Sequence, residues 1–380
     1  MGYGQPLIFL LLLLSFGDLF APGAVSVADD GYLSVSEHTL VRMIVSEDVE
    51  KLVESVSPAF NGGIMVLHKG RPVYTKTAGL ADLRSHTVIE LDSPFQLASV
   101  SKIFTATAVL QLQEQGLVHL DSAICTYLPE WPYKDQCVRN LLTHRSGLSR
   151  YMAVAGWYWP DKQVPLGNQD VFNQFVQHEP LTFFTPDSGF NYCNTNYVVL
   201  AEMVERVSGK SFPCYMQDHI FDPLEMHNAF IYSKSDSTLV PEVKGYKPGR
   251  RRYNEAWKDY IDGVWGDKNV YASLSDIQKF EAALWDGSIL SDRTLADMWT
   301  PGSPERQFNY GLGWRIRLHA DRYIPYHFGW WRGFRTCYIH DPESGIGLIM
   351  LSNMDDSRRL PGYWETYDSL KNIWPVLQDS

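Results

Sequence analysis

The chain has 380 residues, 45% apolar and 20% charged, which is enough to bury a sizeable core and argues against a disordered chain. Its formal net charge of −11 disfavours binding to a nucleic-acid backbone or an anionic lipid surface, since both need a clustered basic face. Five cysteines (Cys125, Cys137, Cys193, Cys214 and Cys337) lack the C-x-x-C spacing of a zinc or thioredoxin-like site, so no metal is expected.

Residues 7–14 form an apolar block too short to span a bilayer, and small residues follow up to Ser26-Val27-Ala28. This reads as a signal peptide over 1–28, with a secreted or periplasmic mature chain beginning near Asp29. The first six residues carry no Lys or Arg, which leaves an uncleaved anchor as the alternative. No later stretch offers the roughly 18 apolar residues of a membrane span. Residues 37–56 have the apolar spacing of an amphipathic helix, and 63–68 with 71–78 read as a hairpin turning on Lys69-Gly70. Helical spacing follows over 99–115, 170–178 and 196–208. The basic run Lys247 to Arg252 reads as a solvated loop. Strands return over 310–318, 322–328, 334–340 and 347–352, before a helix over 363–376. The expected class is α+β: residues 29–85 and 305–380 form a discontinuous domain whose antiparallel sheet is flanked by the two terminal helices. Residues 86–304 form a mainly helical inserted domain, and a cleft is expected between the two.

Ser99-Val100-Ser101-Lys102 runs into the first of those helices. Residues three apart share a helix face, so the Lys102 amine can reach the Ser99 hydroxyl and remove its proton. The tetrad alone is close to chance for a chain of this length. Its company carries more. Tyr192-Cys193-Asn194 is the only Tyr-x-Asn, placed just ahead of a helix; its hydroxyl can shuttle protons, and Asn194 can fix the lysine or donate to a substrate amide. His327-Phe328-Gly329 closes a strand, with a titratable ring and a glycine that lets substrate backbone approach the strand edge. His68-Lys69-Gly70 has the same spacing but falls on the hairpin turn. Cys193 has no base pattern of its own and reads as a packed thiol.

Ser-x-x-Lys, Tyr-x-Asn and His-x-Gly, in that order, resemble the class C β-lactamase, DD-peptidase (penicillin-binding protein) and family VIII esterase superfamily. Residues 138–148, 190–209, and Gly266-Asp267-Lys268 with Tyr271-Ala272-Ser273 are similar to further family segments, so the likeness spans about 37–377. The resemblance implies the β-lactamase/transpeptidase-like fold and an acyl-enzyme on Ser99, with Lys102, Tyr192, Asn194 and His327 as its partners. It further implies an oxyanion hole from the backbone N–H groups of Ser99 and Trp330, and it makes His144 part of a structural turn. Class C β-lactamases carry a lysine where this chain has His327, so peptides, D-amino-acid amides or esters are expected ahead of β-lactams. Arg332 and Arg335 offer a fixed charge for substrate, with surface ion pairing as their other reading. Trp330, Trp331 and the run Trp157-Tyr158-Trp159 read as pocket walls or as ordinary packing. No organic cofactor, nucleic-acid partner or stable membrane insertion after signal removal is expected. The alternatives are a short-chain carboxylesterase, a weak β-lactamase and a non-catalytic binder of cell-wall peptide.

Overall fold

The computed structural model describes residues 25–27, 33–35, 50–51, 60–233, 242–303, 309–319, 322–356 and 362–373. Most of the expected signal peptide and of the helix over 37–56 lies outside them. Val25–Val27 pairs antiparallel with Leu33–Val35, on either side of the expected cleavage point.

Seven strands form the main sheet: β1 (Gly62–His68), β2 (Arg71–Ala78), β3 (Asn309–Tyr310), β4 (Arg315–His319), β5 (Arg322–Trp331), β6 (Phe334–Asp341) and β7 (Ile346–Ser352). Their order is β3-β4-β5-β6-β7-β1-β2, and every pair is antiparallel. The β1–β2 hairpin turns on Lys69 and Gly70, both at positive φ (49° and 76°), as a two-residue turn between twisted strands requires. The expected strand 310–318 is broken at Gly311 to Trp314, and β5 runs on to Trp331, past its expected end.

Both faces of the sheet are buried, and the alternation within β1 shows how. Met65 and Leu67 join the large core cluster, while Ile64 and Val66 join a second one with Tyr367 and Leu370 of the C-terminal helix. The first face is covered by a helix from the middle of the chain, Leu274–Asp286, whose Leu274, Ile277 and Phe280 are buried there. Of the two terminal helices expected against the sheet, the C-terminal one packs there, and the one over 37–56 lies almost wholly outside the described residues. The capping box of Ser273 and Asp276 starts the helix Leu274–Asp286 where it meets the sheet.

Between the two groups of strands lie α1 (Ser101–Glu114), α2 (Tyr151–Tyr158), α3 (Asn168–His178), α4 (Asn194–Ser208) and then α5 (Leu274–Asp286), with α6 (Tyr363–Ile373) at the C-terminal end. Residues 101–110 of α1 are all buried, so the helix is a central core element and has no solvent face in its first turns. Lys247, Arg250, Arg251 and Arg252 are exposed on the hairpin Tyr246–Pro248 with Tyr253–Glu255. All five cysteines are free, Cys125 and Cys137 included.

Candidate active site

Ser99 sits in a 3-10 turn, Ala98–Val100, just ahead of α1 and not inside the helix as its spacing predicts. Ala98 holds φ +50°, a left-handed conformation that costs a residue with a Cβ about 1–3 kcal/mol and is retained only where the surroundings enforce it. Here they do: Thr336 Oγ1 donates to Leu97 O at 2.8 Å. Gly329 of β5 presses on the same backbone, so that a Cβ at 329 would collide with Leu97 O and Thr336 Oγ1. The sheet thereby pins the turn and leaves Ser99 half-buried between buried neighbours.

Lys102, one turn on and fully buried, reaches Ser99 Oγ at 3.3 Å and donates to Asp267 O at 2.6 Å. Its ammonium lies 5.1 Å from the Tyr192 ring centre and 5.6 Å from that of Tyr197. Tyr192 and Asn194 stand at the start of α4; the Tyr192 hydroxyl and Asn194 Oδ1 are both buried without a hydrogen-bond partner. Asn194 therefore does not hold Lys102 as expected; the Asp267 carbonyl does. Two unpaired buried polar atoms in one place carry a penalty of about 1–3 kcal/mol each, which a bound polar ligand would relieve.

His327 is fully buried, its Nδ1 2.9 Å from Phe328 O and its Nε2 3.0 Å from the Tyr310 hydroxyl. The carbonyl requires a proton on Nδ1, and the Tyr310 hydroxyl shares its one proton between His327 Nε2 and Gly313 O, 3.2 Å away. Burial, reinforced by Arg315 and Lys102, pushes the ring well below the ordinary imidazole range. A histidine by its residue type titrates near neutrality; in this environment the His327 ring is neutral.

His144 is also buried, with Nδ1 accepting from Cys193 N at 3.1 Å and its ring 4.3 Å from that of Tyr192. Burial, then Lys102 and Arg315, pushes it well below its usual range. It braces Tyr192 from behind. Cys193 is packed, its thiol facing Leu148 O at 3.3 Å.

The fixed cation at the site belongs to no sequence motif. Arg315, on β4 opposite Tyr326, lies with its guanidinium carbon 4.6 Å from the Tyr192 ring centre, and no carboxylate pairs with it among the described residues. Arg335 is held by Asp355 at 2.7 Å, and Arg332 by Asp259 and Asp262 at 2.5 and 3.0 Å, so both are spent on ion pairs. Trp330 is 61% exposed beside the site, its indole donating to Asp355. Trp331 donates to Asp262 at 2.6 Å. Trp157 is exposed and Tyr158 stacks on His178 at 3.7 Å. Among the described residues, no group of three or more His, Cys, Asp or Glu could hold a metal ion, and no helix is long and apolar enough to cross a membrane.

The family profile described as Beta-lactamase matches residues 49–370. Penicillin-binding protein 4* of Bacillus subtilis (strain 168) is 29% identical over 314 residues, covering 78% of this chain and 69% of that protein. A D-aminopeptidase of Brucella anthropi is 28% identical over 303 residues, covering 77% of this chain but 56% of the other. Among solved structures, a penicillin-binding protein from Bacillus halodurans superposes with a TM-score of 0.74 at 22% identity, over 86% of this chain and 98% of that one.

Proposed function

The chain belongs to the beta-lactamase family of serine hydrolases, and from that premise we propose that it cleaves amides or esters of small D-amino-acid or peptide substrates through an acyl-enzyme on Ser99. The observation that carries this reading is the buried Lys102 amine, 3.3 Å from Ser99 Oγ and tethered at 2.6 Å to the Asp267 carbonyl. A free amine can donate to that carbonyl and still present its lone pair to the serine. Lys102 takes the Ser99 proton as Oγ attacks the substrate carbonyl carbon; the resulting oxyanion is received by the backbone N–H groups of Ser99 and Trp330. Tyr192 passes a proton to the leaving nitrogen or oxygen as the C–N or C–O bond breaks, then draws one from the water that releases the acyl group.

Arg315 and the neutral His327 shape the substrate. Arg315 is a fixed charge facing the Tyr192 ring, which suits a carboxylate on the leaving-group side, and His327 adds none. The D-aminopeptidase relative supports a D-amino-acid substrate. We extend the reading to an exported protein cut after Ala28, which N-terminal sequencing of protein from the medium or periplasm tests.

A fluorophosphonate probe tests the nucleophile: wild type is labelled and Ser99→Ala is not, and labelling that survives the substitution refutes it. Turnover of a D-amino-acid amide, a D-alanyl-D-alanine peptide, a short p-nitrophenyl ester and nitrocefin ranks the substrates. Nitrocefin as the best of the four would overturn the argument from His327.

A further inference from the structure

A second lysine lies behind the first. Lys268 is 3% exposed, and its ammonium donates to the Tyr151 hydroxyl at 2.5 Å, to Asp267 Oδ1 at 3.3 Å and to Val264 O at 3.5 Å. The Tyr151 hydroxyl in turn donates to Asp267 Oδ2 at 3.2 Å, closing a three-membered clamp on a carboxylate that is itself buried. Asp267 is the residue whose backbone carbonyl holds Lys102. The same segment is stitched to α1 by Thr105 Oγ1 donating to Gly266 O at 2.7 Å and by Val270 N donating to Ser101 Oγ at 3.1 Å.

The clamp also reaches the other side of the site. The Lys268 ammonium lies 5.3 Å from the Trp331 ring centre. Trp331 donates to Asp262, which also receives Arg332, so the end of β5 is tied down directly after Gly329 and Trp330. A buried ion pair adds little or nothing to stability relative to apolar residues of the same shape, so packing alone does not account for a lysine here.

We infer that Lys268 is a positioning residue for acyl transfer: clamped with Tyr151 and Asp267, it fixes the Asp267 carbonyl against Lys102 and, beneath the Trp331 ring, steadies the end of β5 beside Ser99. The inference rests on the reading of Ser99 and Lys102 given above. The charged groups facing Lys268 are Asp267 and Asp262, which favour its ammonium form, and Lys102, which disfavours it; burial is the largest influence and also disfavours it.

The experiment compares wild type with Lys268→Met, Lys268→Arg and the paired variant Asp267→Asn with Lys268→Met. The paired variant removes both buried charges and keeps the backbone carbonyl. The readouts are the second-order rate of fluorophosphonate labelling against pH, kcat and KM for a p-nitrophenyl ester, and the thermal midpoint. The paired variant is expected to fold and to label about tenfold slower at neutral pH, because the Asp267 carbonyl is no longer clamped against Lys102. KM is expected to stay within about twofold while kcat falls, the mark of a group that acts on the chemical step. Lys268→Arg keeps a charged donor to Tyr151 and Asp267 and is expected to retain most of the wild-type rate. A paired variant that folds and labels at the wild-type rate overturns the inference. Labelling that survives Ser99→Ala in the same assay removes instead the reading beneath it.

Discussion

Two histidines buried at the site make the stability of this protein depend on pH over a predictable window. His144 and His327 are both fully buried, and both are held well below the ordinary imidazole range. In the unfolded chain each ring takes up a proton as the pH falls through about 6.5, whereas in the folded state each stays neutral to well below that. The unfolded state then binds more protons. The stabilisation is therefore complete above about pH 6.5 and is lost progressively below it, at about 1.4 kcal/mol per pH unit for each ring. That is the limiting slope; between about pH 6.5 and 5.5, where the unfolded rings are only partly protonated, the two rings together give about 2 kcal/mol, a large fraction of an ordinary folding free energy. The carboxylates held low in the folded state, such as Glu281 and Asp341, add their losses only as the pH falls through the unfolded carboxylate range near 4; Lys258, pushed down to about 7, and Glu202 and Glu205, held high, titrate nearer the interval from about 6.5 to 5.5, so the histidine share is read from substitutions of the two rings. Urea unfolding followed by tryptophan fluorescence at about pH 7.5, 6.5 and 5.5 measures the slope, and His144→Asn or His327→Gln should each remove about half of it. A slope below about 0.7 kcal/mol per unit in that interval, or one that neither substitution reduces, would refute the assignment of both rings as neutral.

Arg315→Ala should lower kcat/KM about tenfold to a hundredfold for substrates with a free carboxylate, and far less for the same substrates capped as amides, in line with loss of a charge-assisted hydrogen bond; equal losses on both would remove Arg315 from recognition. Glu281, fully buried, accepts from Tyr338 at 2.5 Å and Trp285 at 2.9 Å and pairs with His340 at 2.8 Å. Glu281→Leu should cost about 3–5 kcal/mol in urea unfolding by stranding those groups, with KM of the folded fraction unchanged. All five thiols are free, so denatured, unreduced protein should titrate five. In the native state Cys214, which is exposed, should react first. Cys193 and Cys337 should lag, because burial both shields them and pushes their thiols up.

The parts of the site that were legible in the sequence are those whose contacts are local. Ser99 and Lys102 meet because they are three residues apart, and Lys69-Gly70 turns a hairpin because its positions need positive φ. The start of α1 was misplaced because nothing about an alanine announces that it will be held at φ +50°; that strain is imposed by Gly329 and Thr336, far along the chain. Tyr310 and Arg315 escaped notice for the same reason. Each acts by side-to-side placement in the sheet, Tyr310 against His327 and Arg315 against Tyr192, and neither lies in a recognisable motif. Asp267 and Lys268 were seen as a segment without a role, since the working atom of Asp267 is a backbone carbonyl. The chemistry of His327 was misjudged in degree: its residue type predicts titration near neutrality, and only its burial removes it.

The seam between β7 and β1 joins the last strand of the sheet to one of its first, Ile346 opposite His68 and Ser352 opposite Gly62. A chain leaving the ribosome presents Ser99 and Lys102 early, but the strands that pin the Ala98 turn arrive only about 230 residues later. Until then the strained turn has nothing to hold it, and the nucleophile is one ordinary serine among many. Closing so long a loop makes folding slow, and it also makes the docking of β5 and β6 the event that arms the site. Loss of the chain from Gly329 onward would disarm a serine about 230 positions upstream, the separation between Ser99 and the residues that pin its turn.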